Sequence, residues 1–323
     1  MHIANRRLQH VVPLTLSLLL ASPCVANAAA GFVGPAPAIF EPGVISGAAN
    51  DGSPSFMPDG KTLFYTVSGA TSGAIMESHL VSGQWTKPAI APFSGMWNDS
   101  HAVVAPDGSF IVFESSRPVP GISERVAHLW RVDHTRDGWG TPVHLPAAVN
   151  NGSRIYAPSI AADGTIYFLS IGANRSFQLF RSQFAGGTYQ QAEPLSFSSP
   201  ATADVDPMIA PDQSFLVFSS SGRRTKDDTR EHLYIVFQEG GAWGSVMPMR
   251  YDGDDDNGSS NDNEPEFSPD RQTLFFSSDR TLRSVFPRTR EQAETDLARI
   301  ESWDNGNTNV WTLPLAPWLK ATA

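Results

Sequence analysis

The residues best placed to do chemistry are a set of carboxylates, one histidine, one tyrosine and several arginines that recur near one end of a repeated phrase. Asp51, Asp99, Glu114, Asp206 and Glu264 offer carboxyl groups, His101 an imidazole and Tyr156 a phenol. Arg117, Arg223 and Arg280 bring positive charge to the same region, and Trp97 brings an aromatic face. Paired carboxylates suit glycoside hydrolysis, with one as nucleophile or base and one as acid. Asp51, Asp99 and Glu264 are the first candidates for those roles, with Glu114 beside them. His101 or Tyr156 as base, with Arg117 or Arg280 neutralising a uronate, would suit elimination. The same groups without chemistry would bind a ligand. A plainer reading applies to the aspartates, which cap turns by bonding their own backbone.

A second acidic feature is the run Tyr251 to Glu264, in which Asp252, Asp254 and Asp256 alternate like the first ligands of a calcium loop. Its glycine falls one place late, so a solvated acidic connector is the competing reading. No zinc-protease, nucleophile-elbow, Walker or dinucleotide motif is present.

The elements that must position these groups come from a five-fold repeat. Its copies pivot on Asp59, Asp107, Asp163, Asp212 and Asp270, each preceded by one short strand and followed by a turn and a second. Repeats of this size bury their faces on one another. A third strand carries apolar–aromatic pairs such as Leu129-Trp130 and Val310-Trp311. A fourth starts at an aromatic residue and holds a proline, as in Trp85 to Pro88, which suits an outer edge. The fifth fourth-strand is missing after Trp311 and is expected at the front, starting at Phe32. The fold class is therefore all-β: a five-bladed propeller of four-stranded blades, with its last blade closed by an N-terminal strand.

The phrase Asp262 to Ser277 resembles the TolB-type propeller repeat of bacterial envelope proteins. That resemblance implies the propeller fold and a binding or docking role outside the cytoplasm. The repeat count is five rather than the six of TolB, and no separate N-terminal α/β domain is evident.

Eight residues before the pivots stand Asp51, Asp99, Ile155, Asp204 and Asp262; six before stand Ser53, His101, Ala157, Asp206 and Glu264. Glu114 takes a place held by Thr66, Ser219 and Ser277 elsewhere, where an acid needs a partner or a raised pKa. The places where the repeat breaks, His101, Glu114, Tyr156, Asp206 and Glu264, are the expected site. Ligand-binding candidates are these with Trp97, Arg117, Arg223 and Arg280. Phe286 and Trp303 extend a possible aromatic platform. A helical insertion is expected over about 287–303, with Leu297 and Ile300 at amphipathic spacing.

Residues 1–28 read as a signal peptide: Arg6-Arg7, the apolar run Val11 to Leu20 and Ala26-Asn27-Ala28. Cleavage after Ala28 would remove the single cysteine, Cys24, and two arginines, taking the net charge from −10 to about −12. The expectation is a periplasmic or secreted domain, 29–323, monomeric, with no membrane span and no nucleic-acid partner. It would bind a glycan or envelope protein, or act on a carbohydrate. Calcium is the one cofactor suggested. Rim residues that differ between blades argue against a lectin with one site per blade.

Overall fold

A computed structural model describes residues 32–122, 126–150, 154–171, 177–253 and 260–320. Asp254 and Asp256 lie outside these, as does the signal-like segment. Five antiparallel sheets form the blades. Their first strands are Asn50–Phe56, Asp99–Val104, Ile155–Ile160, Ala203–Ile209 and Asp262–Phe267. Each touches the next, and the fifth touches the first, so the ring closes around a central channel.

The pivot aspartates build the turn between first and second strands. The Oδ1 of Asp59, Asp107, Asp163, Asp212 and Asp270 each accepts the backbone N–H two residues on, at 2.9–3.1 Å. The second strands, such as Phe110–Ser115 and Phe215–Ser221, are almost wholly buried because both faces pack on neighbouring blades. Phe64, Phe93, Ile111 and Phe113 fill the space between the first two blades, for example. The fourth strands shrink to two-residue pieces such as Gln84–Trp85 and Ala89–Ile90.

The N-terminal segment closes the last blade, where Ala38–Ile39 pairs with Thr312 and Trp311. The pairing strand starts later than the expected Phe32. Residues before it lean elsewhere: the Gly34 N–H donates to the Arg250 carbonyl at the exit of the fourth blade at 2.8 Å, and Phe32 packs edge-on to Trp318 of the short helix Ala316–Lys320. A Cβ at Gly34 would lie 2.4 Å from the Trp318 ring, so only glycine lets the chain pass there.

The insertion forms one helix, Arg290–Ser302, started by a capping box between Thr289 and Gln292. No residue of it is buried, and Leu297 and Ile300 are 54% and 45% exposed. The apolar spacing is real but faces water. Ion pairs Arg288–Asp296 and Arg299–Asp304 hold the helix in place of apolar packing.

In the second blade, the Nδ1 of buried His128 lies 2.7 Å from the Nε2 of His144. The Asn150 amide, which donates to the Leu129 and Leu145 carbonyls at 3.0 and 2.9 Å, lies 3.2 Å from that same Nε2. The ring that accepts in this bond must be neutral, and protonating both would set two cations face to face. Burial pushes both below the usual histidine value of 6.5, and for His144 the His128 charge adds to it. A base depressed on folding stabilises fully above its unfolded pKa and loses that stability as pH falls below it. The thermal midpoint should therefore drop from about pH 7 to about pH 5, and His144→Gln should flatten the drop. An equal slope in the variant would disprove the assignment.

Candidate functional site

The channel is shaped by a bulge that recurs in every blade. The first two strands slip register between Gly52 and Ser55, Ser100 and Val103, Tyr156 and Ser159, Val205 and Met208, and Asn263 and Glu266. At each slip one non-glycine residue turns left-handed: Ser53, His101, Ala157, Asp206 and Glu264, with φ of 47–51°. Such a conformation costs about 1–2 kcal/mol per residue and persists only where the surroundings impose it.

Here the bulge N–H groups of Ser53, His101, Ala157 and Glu264 bond across blades. That of Ser53 donates to Glu264 Oε2 at 2.7 Å and to Ser277 Oγ at 3.1 Å; that of His101 to Thr66 Oγ1 at 3.1 Å. That of Ala157 donates to Glu114 Oε1 at 2.5 Å, and that of Glu264 to Asp206 Oδ2 at 3.2 Å. Glu114 therefore does at one junction what a hydroxyl does at others, with charge added.

The non-repeating residues meet in one cluster. The His101 imidazole bridges two carboxylates, Nδ1 3.1 Å from Glu114 Oε1 and Nε2 2.8 Å from Glu264 Oε1. Glu114 also accepts from Ser100 Oγ at 3.0 Å, and Glu264 from Ser277 Oγ at 2.5 Å. Burial alone would lower the His101 pKa, but the two carboxylates outweigh it and hold the ring protonated, well above 6.5. Burial alone would raise Glu264, but His101, Ser277 and Ser53 bring it down to about 2. Asp206 goes the other way. Burial first, then the charges of Glu231 and Glu264, push it up to about 8.

Two acids not singled out in the sequence join this region. Burial raises Glu231, whose Oε2 accepts from Asn263 at 2.8 Å. Glu266 lines the channel below, where burial raises it well above 4.5 and Ser55 Oγ donates to its carboxyl at 3.5 Å. A carboxyl in a ring otherwise made by Ser55, Val103, Ser159 and Met208 was the available signal for Glu266.

The remaining candidates have structural work. Asp99, Asp204 and Asp262 start their strands, and each accepts from a serine at the end of the next strand, Ser115, Ser220 or Ser278, at 2.6 Å. Arg117, Arg223 and Arg280 pair with these aspartates at 3.4, 2.7 and 2.7 Å. Each guanidinium also stacks between rings; for Arg280 these are Tyr251, Phe276 and Trp311. Each pin ties the start of a blade's first strand to the segment that leaves its second. Asp51 lacks the serine and arginine, accepts from the Gly47 N–H at 2.6 Å, and is raised by burial to about 6. Trp303 packs on Trp311, and Phe286 is 71% exposed on the insertion. Trp97 is half-buried in the loop before Asp99. Asp262→Ala should cost about 3–5 kcal/mol by stranding Arg280, since removing one partner of a buried pair leaves the other uncompensated. Urea unfolding would measure it; a cost below 1 kcal/mol, or about that of an exposed pair, would contradict the pin.

Two spaces adjoin the cluster. The channel cavity between Ser53, His101, Asp206, Glu264 and Glu266 is ≈ 30 Å³, water-sized. On the rim between the second and third blades lies a pocket of ≈ 460 Å³ bounded by Asn98, Ser100, Glu114, Ser116, Arg154 and Tyr156. Burial lifts the Tyr156 phenol above its usual value, with Arg154 opposing, so it stays a neutral hydroxyl. Among the described residues, no group of three or more His, Cys, Asp or Glu is arranged to hold a metal ion. No helix there is long and apolar enough to cross a membrane.

Repeat and architecture together define a five-bladed β-propeller whose repeat phrase resembles the TolB type. Among solved structures, the chain is similar to a putative TolB from Agrobacterium tumefaciens, 15% identical over 82% of this chain and 90% of that one, with a TM-score of 0.49. It is also similar to TolB from Acinetobacter baumannii, 22% identical over 62% of this chain and 43% of that one, with a TM-score of 0.42. An α-L-arabinofuranosidase from Podospora anserina, in complex with cellotriose, is 11% identical over 87% of this chain and 93% of that one, with a TM-score of 0.46. At such identities the likeness concerns fold alone. No family model and no curated protein sequence matches the chain.

Proposed function

We propose that the protein is a ligand-binding propeller of the bacterial envelope or exterior, and that its ligand is a glycan seated in the rim pocket between the second and third blades. The observation that carries this reading is Glu114. Its carboxylate is fixed by His101, Ser100 and the Ala157 N–H, yet it borders a pocket of ≈ 460 Å³, of small-ligand size. Acceptors on Glu114, Asn98, Ser100 and Ser116, with the Tyr156 ring and Arg154 at the side, suit a polyhydroxylated molecule. The signal-like N-terminus supports export.

A second reading is glycoside hydrolysis, favoured by one observation: Asp206 is held protonated near neutral pH while neighbouring Glu264 is held ionised, the split an acid and a nucleophile or base need. Against it, those groups surround a cavity of ≈ 30 Å³, too small for a sugar ring, and His101 bridges Glu114 to Glu264. Elimination has less support, because His101 is protonated and Tyr156 neutral, so neither is a ready base.

Calorimetry against an oligosaccharide panel, with product analysis on the same samples, tests the first reading. Binding without turnover, weakened about tenfold or more in Glu114→Gln, is expected. Turnover lost in Asp206→Asn would favour the hydrolase. Unchanged affinity in Glu114→Gln would exclude this pocket.

A further inference from the structure

Two grooves open on the face of the ring that carries the pivot turns, away from the rim pocket. One lies between the second and third blades, ≈ 440 Å³, and includes Asp107, Asp163, Gly164, Tyr189 and Arg131. The other lies at the seam between the fifth and first blades, ≈ 550 Å³, and includes Asp270, Asp59, Gly60 and Trp85. These match by repeat position: two pivot aspartates, the glycine after one of them, and the aromatic residue that opens a fourth strand.

In the first groove the protein supplies its own cation. The Arg131 guanidinium lies 3.7 Å from the centroid of Phe110 and 2.6 Å from Asp133. Its charge acts on the Tyr189 phenol and helps hold Asp107 below the usual carboxylate value, behind the Ser109 hydrogen bonds. Arg131 is paired with Val112, five residues past its pivot; the corresponding pair at the seam is Phe275 with Thr312. Thr312 carries no charge.

The seam groove is more aromatic than its counterpart. Phe40, Phe56, Trp85 and Phe275 pack edge-on or tilted, with centroids 4.7–6.4 Å apart, and Phe40, Phe56 and Trp85 remain partly exposed. Two carboxylates, Asp59 and Asp270, stand exposed at its edge, and no Lys, Arg or His is among the residues lining it.

We propose that the seam groove is a docking site for an arginine side chain of an extended peptide segment of a partner protein. Arginine fits better than lysine because a guanidinium is weakly hydrated and stacks flat on rings while pairing with carboxylates. A peptide fits better than a free guanidinium compound: the matching groove still has ≈ 440 Å³ of space with Arg131 already in place. The site is independent of the rim pocket and of any glycan.

The test uses the full chain and a capped pentapeptide, Gly-Ser-Arg-Ser-Gly, with its citrulline analogue as the uncharged control. Calorimetry at low salt should show saturable binding of the arginine peptide. Binding should weaken about tenfold or more for the citrulline peptide and for the Asp59→Asn/Asp270→Asn variant. Asparagine keeps the Oδ1 that accepts from Lys61 and Gln272, so the turns and thermal midpoint should survive. If the double variant fails to fold, Trp85→Leu should give the same loss without touching a turn. Absence of binding to the unmodified chain, equal affinity for citrulline, or unchanged affinity in the folded variants would overturn the proposal.

Discussion

His101→Leu is expected to cost about 3–5 kcal/mol of folding stability near neutral pH, the usual penalty for removing one member of a buried ionic group. The variant leaves Glu114 and Glu264 facing each other without the cation that now touches both, at 3.1 and 2.8 Å. It also keeps a bulky side chain at φ 47°, so the backbone strain stays while the ion pairs that help impose it go. The loss has a pH signature. His101 is raised on folding, so its stabilisation is complete below about pH 6.5 and is lost as pH climbs through the higher folded value. Glu264 is depressed from 4.5 to about 2, so its stabilisation is present above pH 4.5 and is lost as pH falls toward 2. Urea unfolding of both proteins from acid to base should show the variant's deficit greatest between those limits. A deficit below 1 kcal/mol, or about the value of a surface pair, would mean that the cluster is solvated.

Asp206→Asn is expected to act in the opposite direction, stabilising the protein by about 1–3 kcal/mol at pH 8. Asp206 is raised from 3.8 to about 8, so ionising it works against the fold. For such an acid the folded state holds a proton the unfolded state has released, and stability falls as pH rises between the two values. Asparagine removes that slope. Its Oδ1 can still accept from the Glu264 N–H, now 3.2 Å from Asp206 Oδ2, and its amide can donate toward Glu231 or Glu264. The gain should vanish below about pH 4, where the native acid is neutral in both states. A loss of stability at pH 8 would show that Asp206 is an ionised partner of His101.

Much of the architecture was legible because it rests on local rules. The pivot Asp turns, the buried second strands and the prolines of the outer strands each follow from residue type and spacing. The missing fifth outer strand pointed to the N-terminus, and Ala38–Ile39 takes that place. The rim aspartates were legible only by half. Their recurrence suggested turn caps, whereas Asp99, Asp204 and Asp262 bind a serine 16 residues on and an arginine beyond it, pairs set by register. The bulges were not read at all, although Ser53, Ala157, Asp206 and Glu264 each precede a proline. A left-handed turn inside a strand depends on the cross-blade bonds that hold it, and those belong to the closed ring. Glu231 was missed for a similar reason: it sits in the loop between the second and third strands of the fourth blade and reaches the cluster only when the fourth and fifth blades meet.

The claim that the breaks in the repeat form a ligand site is tested most directly by nitrogen NMR of histidine-labelled protein, titrated with the oligosaccharide that binds most tightly. The His101 imidazole should report a protonated ring at pH 6.5, where a free histidine is half-titrated, and shift on saturation, because it shares Glu114 with the rim pocket, while His128 and His144 stay still. A bound oligosaccharide that leaves His101 unmoved, or moves His128 and His144 instead, would place the site elsewhere.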